Sequence, residues 1–325
     1  MRISIHTESW ASARPFRITG REWLTFDPVV VELERDGVIG RGEAYGVFYA
    51  DETAASMAAQ LERVADRVAA GVDRAEAQTL LPPGGARNAL DCALWDLEAK
   101  SCGRTIWELT GVAPRVVETV YTIGIEATPE LMAEHAASAK DCPLLKVKLD
   151  SHQPVERMTA IRRARPDARL VVDANQGWTF DQLQLVAPAF AELGVLMIEQ
   201  PLKRGGDSEL EGYESPVPLC ADESCLHAGE LDEAARRYQM INIKLDKTGG
   251  LTHALDLAHA ARARGLGLMV GSMGGTSLAM APSFVVGCLT DFADIDGPLL
   301  LKCDRLQGLR YTAGKVDVFG PEVWG

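Results

Sequence analysis

Nothing in the 325-residue sequence is long and apolar enough to span a bilayer: the longest mostly apolar stretch, Ser277 to Leu289, falls short of the roughly 20 residues required. The first ten residues, MRISIHTESW, contain no apolar signal core. The seven cysteines are odd in number, scattered from Cys92 to Cys303, and never form a CxxC pair, which argues against a disulfide or zinc framework and for reduced thiols. The six histidines show no metal-ligand spacing. Positive charge is scarce: 33 Lys and Arg against 46 Asp and Glu leave a formal net charge of -13, which disfavours nucleic acid and anionic membranes as partners. No low-complexity linker interrupts the chain. These absences lead us to expect a cytoplasmic protein, open to homo-oligomerisation, whose partners are small molecules. What is present, 47% hydrophobic and 24% charged residues, suffices for a sizeable core.

From about residue 119 onward, short apolar runs recur every 23 to 27 residues or so: YTIGI, LLKVK, RLVVDA, LMIEQ, LCADE, MINIKL, LGLMVG and FADID. Eight such strands with helical segments between them fit the βα unit of a parallel barrel. Thr128, Pro129 and Glu130 form a helix start, with an N-cap, a proline at the first helical position and an acid in the first turn. The expected fold is α/β, a modified TIM barrel over residues 116–300 with an α+β capping domain over residues 1–115. In the latter, VVVELERDGVIGRGE reads as two strands around Asp36 and Gly37, followed by Ala- and Leu-rich helices. The segment 301–325, with a hairpin around Ala313 and Gly314, is expected to return to the capping domain.

Barrels of this kind place their chemistry at the C-terminal strand ends. Asp173, Glu199 and Asp222 end three successive strands, 26 and 23 residues apart. Three carboxylates on one mouth repel one another unless a hard cation joins them, and magnesium suits oxygen ligands. Lys146 and Lys148 share one face of the second strand, because side chains alternate. Lys244 ends the sixth. In a ring of eight, strands two and six are opposite, so Lys148 and Lys244 should face each other with the metal strands on the arc between them. A carboxylate on the metal would then hold its α-carbon between two amines, one to take a proton and one to return it. Lys146 is expected to help lower a lysine pKa.

The motifs KVK at 146, DANQGW at 173, EQP at 199, ADES at 221 and NIK at 242 resemble the enolase superfamily across essentially the whole chain. The resemblance implies a (β/α)7β barrel under a cap built from both termini, and one Mg2+ per subunit on Asp173, Glu199 and Asp222. It also implies catalytic Lys148 and Lys244, with Asn175 and Glu223 in support. Strand seven ends in GSMGG without the histidine of the mandelate-racemase branch, which leaves the muconate-lactonizing branch. Within that branch ARNALDCALWDLEAK, LLKVKLD and NIKLDKTGGLT are similar to dipeptide epimerases, especially those acting on L-Ala-D/L-Glu. Asp294 and Asp296 share a face of strand eight, opposite strand four, and are expected to bind a cationic group at the far end of a zwitterionic dipeptide.

Arg21 resembles the arginine with which some of these enzymes recognise an acidic side chain, with Arg17 as the neighbouring alternative. Ser272 and Met273 belong to a close-packed turn expected to line the dipeptide, since the P-loop lysine pattern is absent. Asp246 is placed to orient Lys244 or to pair with Lys247. The same acid/base set also serves an N-acylamino-acid racemase or an o-succinylbenzoate synthase, alternatives that Asp294 and Asp296 disfavour by their charge. A barrel that only binds small molecules is the non-enzymatic alternative.

Overall fold

Strand-forming runs with period-two inward positions build the centre of the molecule. The computed structural model describes all 325 residues. It begins with five strands, β1 (Arg2–Thr7), β2 (Trp10–Ile18), β3 (Arg21–Phe26), β4 (Val29–Arg35) and β5 (Val38–Ala44). Helices α1 (Ala54–Gly71), α2 (Arg74–Leu80), α3 (Gly85–Cys102) and α4 (Ile106–Thr110) follow, then β6 (Val117–Glu118). The eight anticipated runs form β7 (Tyr121–Ile123), β8 (Leu144–Lys148), β9 (Arg169–Asp173), β10 (Val195–Glu199), β11 (Leu219–Ala221), β12 (Met240–Lys244), β13 (Gly267–Gly271) and β14 (Phe292–Ala293). They lie side by side in chain order, all parallel. The ring closes where Thr119 bridges Ala293 and the Val120 N–H donates to the Ala293 carbonyl at 2.8 Å.

The outer helices are α5 (Pro129–Ser138), α6 (Pro154–Ala164), α7 (Phe180–Glu192), α8 (Leu231–Arg237), α9 (Leu245–Thr248), α10 (Leu251–Ala263) and α11 (Ser277–Gly287). At the start of α5 the Thr128 hydroxyl accepts from the Leu131 N–H, with Pro129 in the first turn. One connection departs from the helical pattern. Between β10 and β11 only a 3-10 turn, Ser208–Leu210, replaces a helix. Gly205, Gly206 and Gly212, with Pro216 and Pro218, leave that stretch without a helix-forming run. No helix in the molecule is long and apolar enough to cross a membrane.

Alternation along the strands sorts the barrel interior into layers. Leu144, Val171, Met197, Cys220, Met240 and Met269 form a dry apolar plug with Val120. Two residues further along each strand stand Lys146, Asp173, Glu199, Asp222, Asn242 and Gly271. The floor of the mouth is therefore the next inward layer above a hydrophobic seal.

The N-terminal part pairs β1, β4 and β5 into an antiparallel sheet, with Asp36 and Gly37 turning at φ 52° and 79° as a two-residue hairpin requires. β2 and β3 form a separate hairpin around Thr19 and Gly20, a pairing its charged sequence did not signal. Helix α3 lies against β5 so closely that a Cβ on Gly42 would sit 2.1 Å from the Ala89 carbonyl oxygen. Its other side docks on the barrel: Arg87 donates to the carbonyls of Thr248 (2.6 Å) and Gly249 (3.1 Å), and Asp91 accepts from the Thr252 hydroxyl (2.6 Å) and N–H (3.0 Å). In the tail, β15 (Tyr311–Thr312) and β16 (Lys315–Val316) make a hairpin around Ala313 and Gly314 that pairs with β6. Beyond it, the Trp324 indole donates to the Arg41 carbonyl and the Gly325 N–H to Asp96.

Candidate active site

At the C-terminal mouth of the barrel, β8 to β12 deliver their last inward residues to one place. Lys148 and Lys244 both line an open cavity of ≈ 600 Å³, and Asn175, Glu223, Ser272, Met273, Asp294 and Asp296 line it with them. Phe16, Trp23, Phe26, Phe48 and Tyr49 from the N-terminal part form its roof. Asp173, Glu199 and Asp222 are fully buried in its floor.

The floor is a dense ionic lattice. Lys148 Nζ lies 2.5 Å from Asp173 Oδ2, and Lys244 Nζ lies 2.6 Å from Asp222 Oδ2. Lys146 Nζ touches three carboxylates, Asp173 (3.1 Å), Glu199 (2.7 Å) and Asp294 (2.7 Å). Lys247 is buried and donates to Asp222 Oδ1 (2.7 Å) and to the carbonyls of Asp222 and Asn242. Its position in a four-residue helix after β12 carries no pattern that distinguishes it from a surface lysine. Asn242 donates to Glu199 Oε1 at 2.6 Å.

Charge in this lattice does not balance. Six buried carboxylates (Asp173, Glu199, Asp222, Glu223, Asp294, Asp296) face four buried ammoniums (Lys146, Lys148, Lys244, Lys247). Burial and the proximity of Asp173 push Glu199 up to about 6. Burial and Asp222 push Glu223 up to about 8, and burial and Asp294 do the same for Asp296. Against the same burial, Lys148 and Lys146 hold Asp173 at about 2. Several oxygens lack donors. Lys146 lies near Glu199 Oε2 but off the hydrogen-bonding direction, so that atom has no partner, and neither do Glu223 Oε2 and Asn175 Oδ1.

Two expectations, for Lys146 and for Asp246, need correction. Lys146 does not line the cavity; despite burial, Asp294, Glu199 and Asp173 raise its own pKa far above the ordinary value, and it acts as a buried counter-ion whose charge also works to lower Lys244. Lys244 is raised as well: burial works to lower it, but Asp222, Glu199 and Glu223 together outweigh burial. Asp246 neither orients Lys244 nor pairs with Lys247. It accepts from the Gly46 N–H at 2.9 Å, tying the N-terminal part to the barrel. The two aspartates of strand eight are not equivalent: Asp294 shares Lys146 with the floor, while Asp296 accepts from the Thr122 N–H at 2.7 Å.

Arg21 stands outside the cavity, its guanidinium 4.8 Å above the ring of Phe48, which lines it. Arg17 is tied to Glu22 at 2.9 Å and faces Glu126 at 3.7 Å. The turn with Ser272 and Met273 is held by Glu43, whose carboxylate accepts from the Thr276 N–H at 2.7 Å and from Arg305. Gly274 follows at φ +108°, where a Cβ would sit 2.6 Å from the Phe26 ring.

Comparison with known proteins places these features in a family. Residues 1–111 match the mandelate racemase / muconate lactonizing enzyme N-terminal domain, and residues 131–302 the enolase C-terminal domain-like family. The L-Ala-D/L-Glu epimerase of Escherichia coli is 44% identical over 97% of this chain and 99% of its own. An N-acetyl-D-glutamate racemase from Pseudoalteromonas is also 44% identical, over 75% of this chain and 78% of its own. Among solved structures, an enolase family member from Agrobacterium tumefaciens with homology to dipeptide epimerases, bound to sodium and L-Ala-L-Glu, superposes with a TM-score of 0.97 at 43% identity, covering 99% of each chain. The dipeptide epimerase of Methylococcus capsulatus, complexed with Mg and L-Arg-D-Lys, gives 0.90 at 30% identity, over 99% of this chain and 98% of that one.

Proposed function

The chain belongs to the enolase superfamily, in its mandelate racemase and muconate lactonizing enzyme family, and from that premise we propose a magnesium-dependent dipeptide epimerase acting on L-Ala-D/L-Glu. The enzyme is an isomerase that inverts the α-carbon of the C-terminal residue. The observation that carries this reading is the pair of lysines, Lys148 on the second strand and Lys244 on the sixth, opening on one cavity.

Asp173, Glu199 and Asp222 fit a divalent cation. They supply three hard oxygen donors, the carboxylates outnumber the ammoniums, and Glu199 Oε2 is buried without a donor. No group of carboxylates here already surrounds a common point, because each is drawn onto a lysine. To hold the cation, Asp173 and Asp222 would have to be released by Lys148 and Lys244. Magnesium supplies positive charge where the substrate carboxylate accumulates negative charge. A lysine freed from its carboxylate would give up its proton more readily. One lysine, neutral, takes the α-proton; the Cα–H electron pair delocalises into the carboxylate. The opposite lysine, protonated, returns a proton to the other face, and the configuration inverts. Lys146 stays protonated throughout and neutralises the floor.

Asp294 and Asp296 are suited to the substrate ammonium, as a dipeptide requires. One observation favours a second substrate class, N-acylated glutamate: Asp294 is already paired with Lys146, and Asp296 at about 8 is neutral at pH 7, so the wall is less anionic than two free aspartates would be. The test is deuterium incorporation from D2O with Mg2+. L-Ala-L-Glu is expected to exchange its C-terminal α-proton and accumulate the D-Glu epimer; exchange of N-acetyl-L-glutamate alone moves the assignment to the racemase, and exchange of neither sinks both. The seven unpaired cysteines fit a reducing compartment and support a cytoplasmic enzyme.

A further inference from the structure

Tyr49 sits in the short turn Phe48–Ala50 that the N-terminal part hangs over the mouth, and its ring lines the cavity. Its hydroxyl oxygen is buried, yet it has no hydrogen-bond partner. A phenol in that state is, at neutral pH, a donor with no partner in the protein, available to a ligand in the cavity. The neighbouring Phe48 ring packs edge-on against it at 5.2 Å, so the side chain is held in place. The other unpartnered oxygens on this cavity, Asn175 Oδ1 and Glu223 Oε2, follow the ends of β9 and β11 at the floor; Tyr49 alone comes from the roof.

Which part of a substrate would meet it follows from the reaction geometry, and so rests on the reading given above. When the α-proton leaves, the carbon becomes trigonal, and its three remaining substituents lie in a plane perpendicular to the line joining the two lysines. With those lysines on strands two and six, the plane contains the direction from strand four to strand eight and the barrel axis. The carboxylate takes the direction of the floor acids around strand four, and the nitrogen side that of Asp294 and Asp296 on strand eight. The third substituent, the side chain, has only the axis left, because the apolar plug closes the bottom. It points at the roof.

We propose that Tyr49 is a specificity-determining residue whose hydroxyl donates a hydrogen bond to an oxygen acceptor, carboxylate or carboxamide, on the side chain of the substrate's C-terminal residue. The contact forms only with side chains long enough to reach the roof, and an apolar side chain leaves the donor unpaired as it is now.

The test is Tyr49→Phe, which removes one oxygen, with kcat/KM measured for L-Ala-L-Glu, L-Ala-L-Gln and L-Ala-L-Leu. Expected is a loss of about 10- to 100-fold for the Glu and Gln dipeptides, with the Leu dipeptide unchanged or improved. The melting temperature should stay level, because the hydroxyl has no partner in the protein to lose. Equal losses on all three dipeptides would mean a contact to the shared carboxylate or a scaffold role, and would overturn the proposal; so would unchanged values for Glu and Gln. A wild-type enzyme that exchanges L-Ala-L-Leu but not the other two also overturns it while leaving the epimerase reading intact. Wild type that exchanges no dipeptide overturns both.

Discussion

In the proposed mechanism Lys148 and Lys244 do equivalent work from opposite sides, so their removal should not look like simple inactivation. In Lys148→Ala or Lys244→Ala the surviving lysine still reaches one face of the α-carbon. Inversion is expected to vanish in both variants, while solvent deuterium still enters one epimer, a different epimer in each. Following exchange of L-Ala-L-Glu and L-Ala-D-Glu separately by proton NMR checks this, and exchange of both epimers by either variant would show that the lysines do not divide the faces. At this scale the sequence was most readable where a residue's position on a strand decides its direction. The two lysines, the three floor acids and the Asp294/Asp296 pair all sit at inward positions near strand ends, so alternation alone aims them into the mouth. Lys146 was aimed correctly, but its partners were not legible, because the contact from β8 to Asp294 after β14 depends on ring closure. Tyr49, Lys247 and the bond from Gly46 to Asp246 arise on turns or short helices, where no period assigns a direction.

Among the elements, α3 carries the most consequence for the site, since it fastens the roof to the barrel. Gly42→Ala drives a methyl into the backbone of α3, 2.1 Å from the Ala89 carbonyl oxygen, and there is no flexible side chain to yield. The expected cost is at least about 2 kcal/mol, read as a lower urea midpoint, whereas Gly206→Ala, whose nearest neighbour is 3.5 Å away, should be neutral. Equal midpoints for the two variants would show that α3 can shift on β5. The barrel strands were legible as elements because each is a short apolar run between helical segments. The β2–β3 hairpin was not, since WASARPFRI and REWLTF mix charge with aromatics and pair only over the mouth. The helix missing between β10 and β11 follows from glycine and proline that a count of regular βα units passes over.

For the molecule as a whole, one buried histidine predicts an acid-side weakness. His135 packs edge-on against Tyr121, has no hydrogen-bond partner on either ring nitrogen, and is held near 4 by burial and by Arg14. The unfolded chain takes up this proton below its ordinary value near 6.5, while the folded chain refuses it down to about 4. Stability from this group is therefore complete above 6.5 and is lost as pH falls through that window. The loss is at most about 3 kcal/mol, softened by Glu126, 3.7 Å from the ring. Urea midpoints of wild type and His135→Phe at about pH 7 and about pH 5 should diverge, the variant losing less; parallel losses would remove His135 as the cause.

The apolar plug beneath the ionic floor has a further consequence, for traffic. With Leu144, Val171, Met197 and their companions sealing the lower end, both epimers come and go on the roof side, where Phe48 and Tyr49 line the cavity. Each epimer is fuel in one direction and waste in the other, and both pass the same threshold. Whatever props that side open or jams it must therefore slow or speed the forward and backward conversions by the same factor, leaving the final mixture of epimers untouched.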